Sequence, residues 1–156
     1  MLSAKKLYRI RIGQLAKAIH PAGFYNLKAK RLKNFINFLF LNYKGSLTLM
    51  FKTRTGRLRR ELLSLNGLGP ETADSILLYA GSKPIFVVDA YTKRILSRHH
   101  LLSVNSGYNQ VQEYFMKNLP RRVKLFNEFH ALFVQLGKDF CWKKPICSNC
   151  PLSSLN

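Results

Sequence analysis

Three features of this sequence could do chemistry. The first is Asp89, in "KPIFVVDAYTKRILSRH", where an apolar run from Ile85 to Val88 ends in the carboxylate and a helix opens. Read as local structure, Asp89 is a helix N-cap that accepts from backbone N–H groups of the first turn. Read as a reactive group, a fixed carboxylate stabilises positive charge developing beside it, or orients and deprotonates a water. The second feature is the trio Cys141, Cys147 and Cys150, every cysteine of the chain, spaced C-x5-C-x2-C. Thiols crowded at one end make no disulfide framework; they point to a reducing compartment and a metal. The third is the stretch "RRELLSLNGLGPETADSILLYAG", which reads as helix, turn, helix. Asn66 and Gly67 make the turn, Gly69 caps the next helix, Pro70 takes its first position and Gly81 its end, with Ala73, Ile76, Leu77 and Ala80 facing inward. Such a turn exposes backbone N–H groups, and the helix adds its positive end, so the unit can hold a phosphate without a cationic side chain. The plain alternative is a helical hairpin with no ligand.

The elements that must position these groups read almost entirely as helix. The segment "NLKAKRLKNFINFLFLNY" places Leu32, Phe35, Ile36, Leu39 and Tyr43 at helical spacing behind Asn26, a good N-cap, and a basic beginning. A shorter helix from Ile12 to His20 precedes it and stops at "HPAG". Near the other end "VKLFNEFHALFVQLG" sets Phe126, Phe129, Phe133 and Leu136 on one face and closes at Gly137. At 156 residues the chain has room for one domain with a real core and a small appendage. The pattern divides it into a helical domain, 1–138, and a cysteine loop, 139–156.

Charge narrows the partners. Lys and Arg number 26 against 7 Asp and Glu, a formal +19, and residues 1–60 hold fifteen basic side chains and no acid before Glu61. A surface this basic seeks phosphate, with nucleic acid first, an anionic membrane second and a ribosomal partner third. No apolar run reaches the length of a membrane span and no secretory h-region opens the chain, so the expectation is a soluble, cytoplasmic protein, nucleoid-associated if bacterial.

Taken together, "LNGLGPETAD", "VVDAYTKR", the earlier "GFYNLKAKRL" and the later "CWKKPICSNC" fall in one order. That order resembles the helix-hairpin-helix, Gly/Pro-rich loop and aspartate signature of the endonuclease III superfamily of DNA glycosylases, in the branch near bacterial alkyladenine glycosylases. The resemblance implies an all-α fold and a base excision repair enzyme that flips a damaged base from double-stranded DNA and breaks its N-glycosidic bond. Asp89 is then the catalytic carboxylate. The hairpin, Leu65, Asn66, Gly67, Leu68 and Gly69 with Thr72, grips the backbone near the flipped nucleotide, and Lys143 and Lys144 meet phosphate from the cysteine loop. Cys141, Cys147 and Cys150 are implied ligands of a 4Fe-4S cluster.

Three departures from the pattern matter. Where strand-cleaving members carry a Schiff-base lysine, this sequence has Glu71, so hydrolysis without strand cleavage is expected; a displaced Lys83 or Lys93 is the alternative. Glu71 also makes ordinary sense as an acid in a first helical turn. The family's helices before "GFYN" are largely missing, which describes a fold lacking its first helices, exposes apolar surface open to self-association, and leaves an incomplete, inactive DNA-binding relative as the rival function. The fourth cluster ligand would fall at Asn156. A three-iron cluster, zinc with His130, or three free cysteines stand as alternatives, although His130 itself reads as a packing residue on the apolar face of its helix.

Overall fold

A computed structural model describes residues 3–155. Among them the regular structure is helical throughout, with no strand. The chain folds as two compact units, and the boundary between them falls between Gly69 and Pro70, inside the predicted hairpin. Among the described residues no helix is long and apolar enough to cross a membrane.

The first unit is built on a long helix. In chain order it contains α1 (Ala4–Arg9), α2 (Ile12–Ala18), a 3-10 turn (His20–Ala22), α3 (Tyr25–Tyr43), α4 (Leu47–Lys52) and α5 (Thr55–Leu63). Both α1 and α2 lie on α3, where Leu15, Ala16 and Ala29 form a small core flanked by Leu7, Ile10, Ile19 and Leu32. Tyr8 stacks on Phe40 at 4.2 Å, and the Lys33 ammonium donates to the carbonyls of Leu7 and Tyr8, closing the end of α1. The helix expected to reach His20 ends at Ala18, and "HPAG" forms the 3-10 turn that follows, closing with Gly23 at φ +64. The expected cap of α3 is different: Phe24, at φ +46, precedes the helix and Asn26 lies inside its first turn. Two successive residues of positive φ make the reversal between α2 and α3, so backbone geometry rather than a side-chain acceptor sets the helix start.

The second unit carries α6 (Pro70–Ser75) running into a π-helical turn (Ile76–Ala80), then α7 (Ala90–Arg98), α8 (Tyr108–Asn118) and α9 (Val123–Asp139). Phe86 is fully buried, stacked on Phe115 at 3.9 Å and edge-on to Phe126 at 5.4 Å. Val87, Val88, Ile95 and Val111 are also buried. Among these apolar groups the fully buried Asp74 accepts from Tyr108 Oη and from Gln112 Nε2, and Gln112 donates as well to the Phe86 carbonyl. Residues 85–88 thus run through the core with their backbone tied to α8, and they deliver Asp89 to the start of α7.

Two helix expectations are corrected here. A regular period through the hairpin's second helix turns Ala80 inward, but the π turn shifts the face, so Leu77 and Leu78 are buried and Ala80 is exposed. Nor does α9 end at Gly137. That glycine is buried within the helix, and a Cβ on it would lie 2.7 Å from Tyr91 Cγ and 2.8 Å from Tyr91 Cβ. It is there because α7 and α9 approach each other too closely for a side chain. On the expected apolar face of α9, Phe126 is buried, while Phe129, Phe133 and Leu136 line an open apolar groove of about 400 Å³ with Phe140 and Leu152.

Candidate active site and cysteine loop

Asp89 does cap a helix, and the capping fixes half of its carboxylate. Its Oδ1 accepts from the Thr92 backbone N–H at 2.7 Å and from Thr92 Oγ1 at 2.8 Å, with Thr92 itself fully buried. Its Oδ2 is turned the other way, 3.6 Å from His130 Nε2. The two side chains are only 10% and 16% exposed, so the carboxylate keeps a small open face. His130 Nδ1 is hydrogen-bonded to the hydroxyl of Tyr79, which the π turn carries. Burial pushes the Tyr79 hydroxyl above its ordinary range, and the negative charge of Asp89 pushes it further.

The place of this group is set by the crossing of α7 and α9. Tyr91, two residues after Asp89, packs over Gly137, and Arg94 stacks on the Tyr91 ring at 5.0 Å while donating to the Gly137 carbonyl at 3.0 Å. An anionic carboxylate at a helix N-terminus, with one oxygen saturated and the other available, can stabilise a cation or take a proton from water.

The hairpin turn lies in the first unit. Leu68 N donates to the Leu65 carbonyl at 3.1 Å, and Gly67 holds φ +91, the left-handed third position of a turn that favours glycine. Asn34 Nδ2 donates to the Asn66 carbonyl at 3.0 Å, and a cleft of about 490 Å³ beside the turn is lined by Lys30, Arg31, Lys33, Asn34, Asn66 and Gly67 among others. Gly69 has no positive φ and open space where a Cβ would stand. The second helix begins at Pro70 with Glu71 in its first turn, and Glu71 and Thr72 are both exposed.

In the second unit the cysteine loop is tied down by a residue that the motif does not contain. Arg98, at the end of α7, donates to Cys141 Sγ at 3.2 Å, to the Trp142 carbonyl and to the Lys143 carbonyl at 3.0 Å. Lys143 and Lys144 are exposed. Cys141, Cys147 and Cys150 all line one cavity of about 600 Å³. Among the described residues no group of three His, Cys, Asp or Glu is gathered closely enough for a metal ion, and His130 lies with Asp89 and Tyr79. Three thiols lining one cavity are a soft donor set of the kind that iron–sulfur clusters take. Asn156, the expected place of the fourth ligand, lies outside the described residues.

Sequence spacing brings Asp89 and the hairpin forward but misses His130, Tyr79 and Arg98 as neighbours of the candidate groups. His130 stands 41 positions from Asp89, a separation with no motif to announce it; its signal is a histidine on a largely apolar helical face.

Comparison with known proteins supplies the family. Residues 1–121 match the family model of the HhH-GPD superfamily base excision DNA repair proteins. A Methanocaldococcus jannaschii protein designated a DNA repair glycosylase is 50% identical over 154 residues, 97% of this chain and 70% of that one. Endonuclease III of Sulfolobus acidocaldarius is 30% identical over 140 residues, 89% of this chain and 60% of that enzyme. Among solved structures, H. pylori 3-methyladenine DNA glycosylase bound to 1,N6-ethenoadenine superposes with a TM-score of 0.76 at 29% identity, covering 86% of this chain and 66% of that one. A non-covalent endonuclease III–DNA complex shares the fold with a TM-score of 0.81 at 23% identity, over 99% and 68%. The chain therefore belongs to the HhH-GPD, or endonuclease III, superfamily of base excision DNA repair glycosylases.

Proposed function

We propose that this chain is a DNA N-glycosylase that flips a damaged base out of the duplex and hydrolyses its N-glycosidic bond without cutting the strand. The observation that carries the reading is Asp89: a carboxylate held at a helix start with Oδ1 saturated by Thr92 and Oδ2 available. As the C1′–N bond breaks, its electron pair leaves with the base and positive charge grows on the sugar. Asp89 stabilises that charge and takes the proton of the water that adds to C1′. Glu71, exposed in the first turn of α6, offers no amine for an imine, which supports hydrolysis over lyase chemistry.

The hairpin of Leu65, Asn66, Gly67, Leu68 and Gly69 with Thr72 would hold the DNA backbone, and Lys143 and Lys144 would add phosphate contacts. Cys141, Cys147 and Cys150 would hold an iron–sulfur cluster, whose contribution is to stiffen residues 141–150 rather than to break the glycosidic bond. Arg98 fixes the same loop through three carbonyl and thiol contacts, so the two lysines are presented from an ordered backbone.

The test is a panel of duplexes carrying alkylated purines including ethenoadenine, uracil, oxidised pyrimidines or mismatches. Base release that becomes a nick only after alkali is expected, and Asp89→Asn should abolish it while keeping DNA affinity. Wild-type binding without release from any duplex would instead favour a non-catalytic DNA-binding protein. A nick without alkali, with a borohydride-trapped adduct, would favour a lysine such as Lys83 or Lys93 as nucleophile.

A further inference from the structure

Among the described residues His130 Nε2 is a buried polar atom with no hydrogen-bond partner, and it lies 3.6 Å from Oδ2 of Asp89. A buried polar atom left unpaired costs free energy, so its persistence beside the candidate catalytic carboxylate calls for a physical cause. The ring's other nitrogen supplies one. His130 Nδ1 is engaged by the Tyr79 hydroxyl, and a neutral imidazole carries its proton on one nitrogen only. With the proton on Nδ1, the Nε2 lone pair would face a carboxylate oxygen across 3.6 Å, two electron-rich atoms opposed. With Tyr79 donating to Nδ1, the proton lies on Nε2 and points at Asp89 Oδ2.

We infer that His130 is a positioning residue for Asp89, its Nε2–H directed at Oδ2 by the Tyr79 hydroxyl so that the carboxylate is held in one rotamer. The inference rests on the reading of Asp89 as the catalytic carboxylate and adds the group that acts through it. Thr92 holds Oδ1 from the helix side and His130 approaches Oδ2 from α9, so the carboxylate plane is set from two elements. Each carboxylate oxygen has a second lone pair, which leaves Oδ2 able to meet a water or the developing sugar cation. The gap of 3.6 Å is wider than a formed hydrogen bond of about 2.9 Å, and such contacts tighten when the substrate complex forms.

Two amide substitutions separate this role from packing. Glutamine places its amide nitrogen where Nε2 stands, whereas asparagine reaches only the Nδ1 position. In single-turnover assays on the duplex that wild-type protein processes fastest, His130→Gln should release base within about threefold of wild type. His130→Asn should slow release roughly ten- to a hundredfold, the loss expected of a hydrogen bond to a charged group, with DNA affinity and melting temperature unchanged. Equal rates for His130→Asn and wild type, equal slowing by both amides, or a parallel loss of affinity and melting temperature would each overturn the inference. A second measurement needs no turnover: ¹⁵N-histidine NMR should place a proton on His130 Nε2, with a resonance that moves in Asp89→Asn. A proton on Nδ1 alone would overturn it. If Asp89→Asn itself releases base at the wild-type rate, the catalytic reading of Asp89 fails, a result distinct from failure of the His130 assignment.

Discussion

Replacing Gly137 by alanine should destabilise the protein, although the usual expectation for a glycine inside a helix is the reverse. In an open helical position Gly→Ala gains about 1 kcal/mol through backbone entropy. At Gly137 the new methyl would stand 2.7 Å from Tyr91 Cγ and 2.8 Å from Tyr91 Cβ, and it would press on the ring edge at Cδ1 as well. Rotating the ring can relieve the contact with Cδ1 but not the one with Cβ, whose position follows the backbone of α7. The helices must therefore part by a good fraction of an ångström against a packed core, and overpacking of this kind costs typically about 1–3 kcal/mol. With the close Cβ contact favouring the upper part of that range, the net loss is about 1–2 kcal/mol, or a fall in Tm of roughly 2–8 °C for a chain of this size. Differential scanning fluorimetry checks the first effect. Base-release kinetics check a second, because Tyr91 sits two residues after Asp89 and a displaced α7 moves the carboxylate relative to His130 on α9. A Gly137→Ala protein that melts at or above the wild-type temperature would refute the claim that the α7–α9 approach forbids a side chain.

The two glycines of the hairpin should behave differently. Gly67→Val opposes a φ of +91 and meets Arg31 Cγ at 2.5 Å, so it should weaken DNA binding irrespective of sequence, as read by fluorescence anisotropy; Gly69→Ala should leave folding intact and lower affinity only if phosphate approaches that backbone. Acid stability should depend on Glu61, whose carboxyl is held below its ordinary range first by the Tyr43 hydroxyl and then, against an opposing effect of burial, by Arg57. A lowered folded value means that the contribution is whole above the unfolded carboxylate value of about 4.3 and is lost as pH falls through the folded one, so Tyr43→Phe should shrink the wild-type advantage above that pH in urea titrations. Anaerobically purified protein should contain iron and acid-labile sulfide, and Cys147→Ser should remove both; iron-free wild-type protein with three titratable thiols would discard the cluster.

Much of the candidate site is legible in the sequence because its signals are local. A turn needing positive φ must show a glycine, as at Gly67, and an extended apolar run delivering a carboxylate to a helix start can be read from "IFVVDA". The three cysteines are likewise near enough in sequence to line one cavity. The misreadings share the opposite cause. Gly137 carries the signature of a helix end, yet its reason is the ring of Tyr91 on another helix. Ala80 fits an α period that a π turn interrupts, and Asn26 fits a cap that two residues of positive φ make unnecessary.

The sequence by itself determined the helical class, the phosphate-seeking charge, the hairpin, the thiol set and the candidate carboxylate, because residue type and short-range spacing dictate these. Only the tertiary structure decided which face of that carboxylate is free and what addresses it. His130 reaches Asp89 through the packing of α9 against α7, Tyr79 reaches His130 from the π turn, and Arg98 reaches the cysteine loop from the far end of α7. Contacts between elements distant in the chain depend on how closely helices can approach, and that distance is set by side-chain volumes meeting in three dimensions, such as the missing one at Gly137.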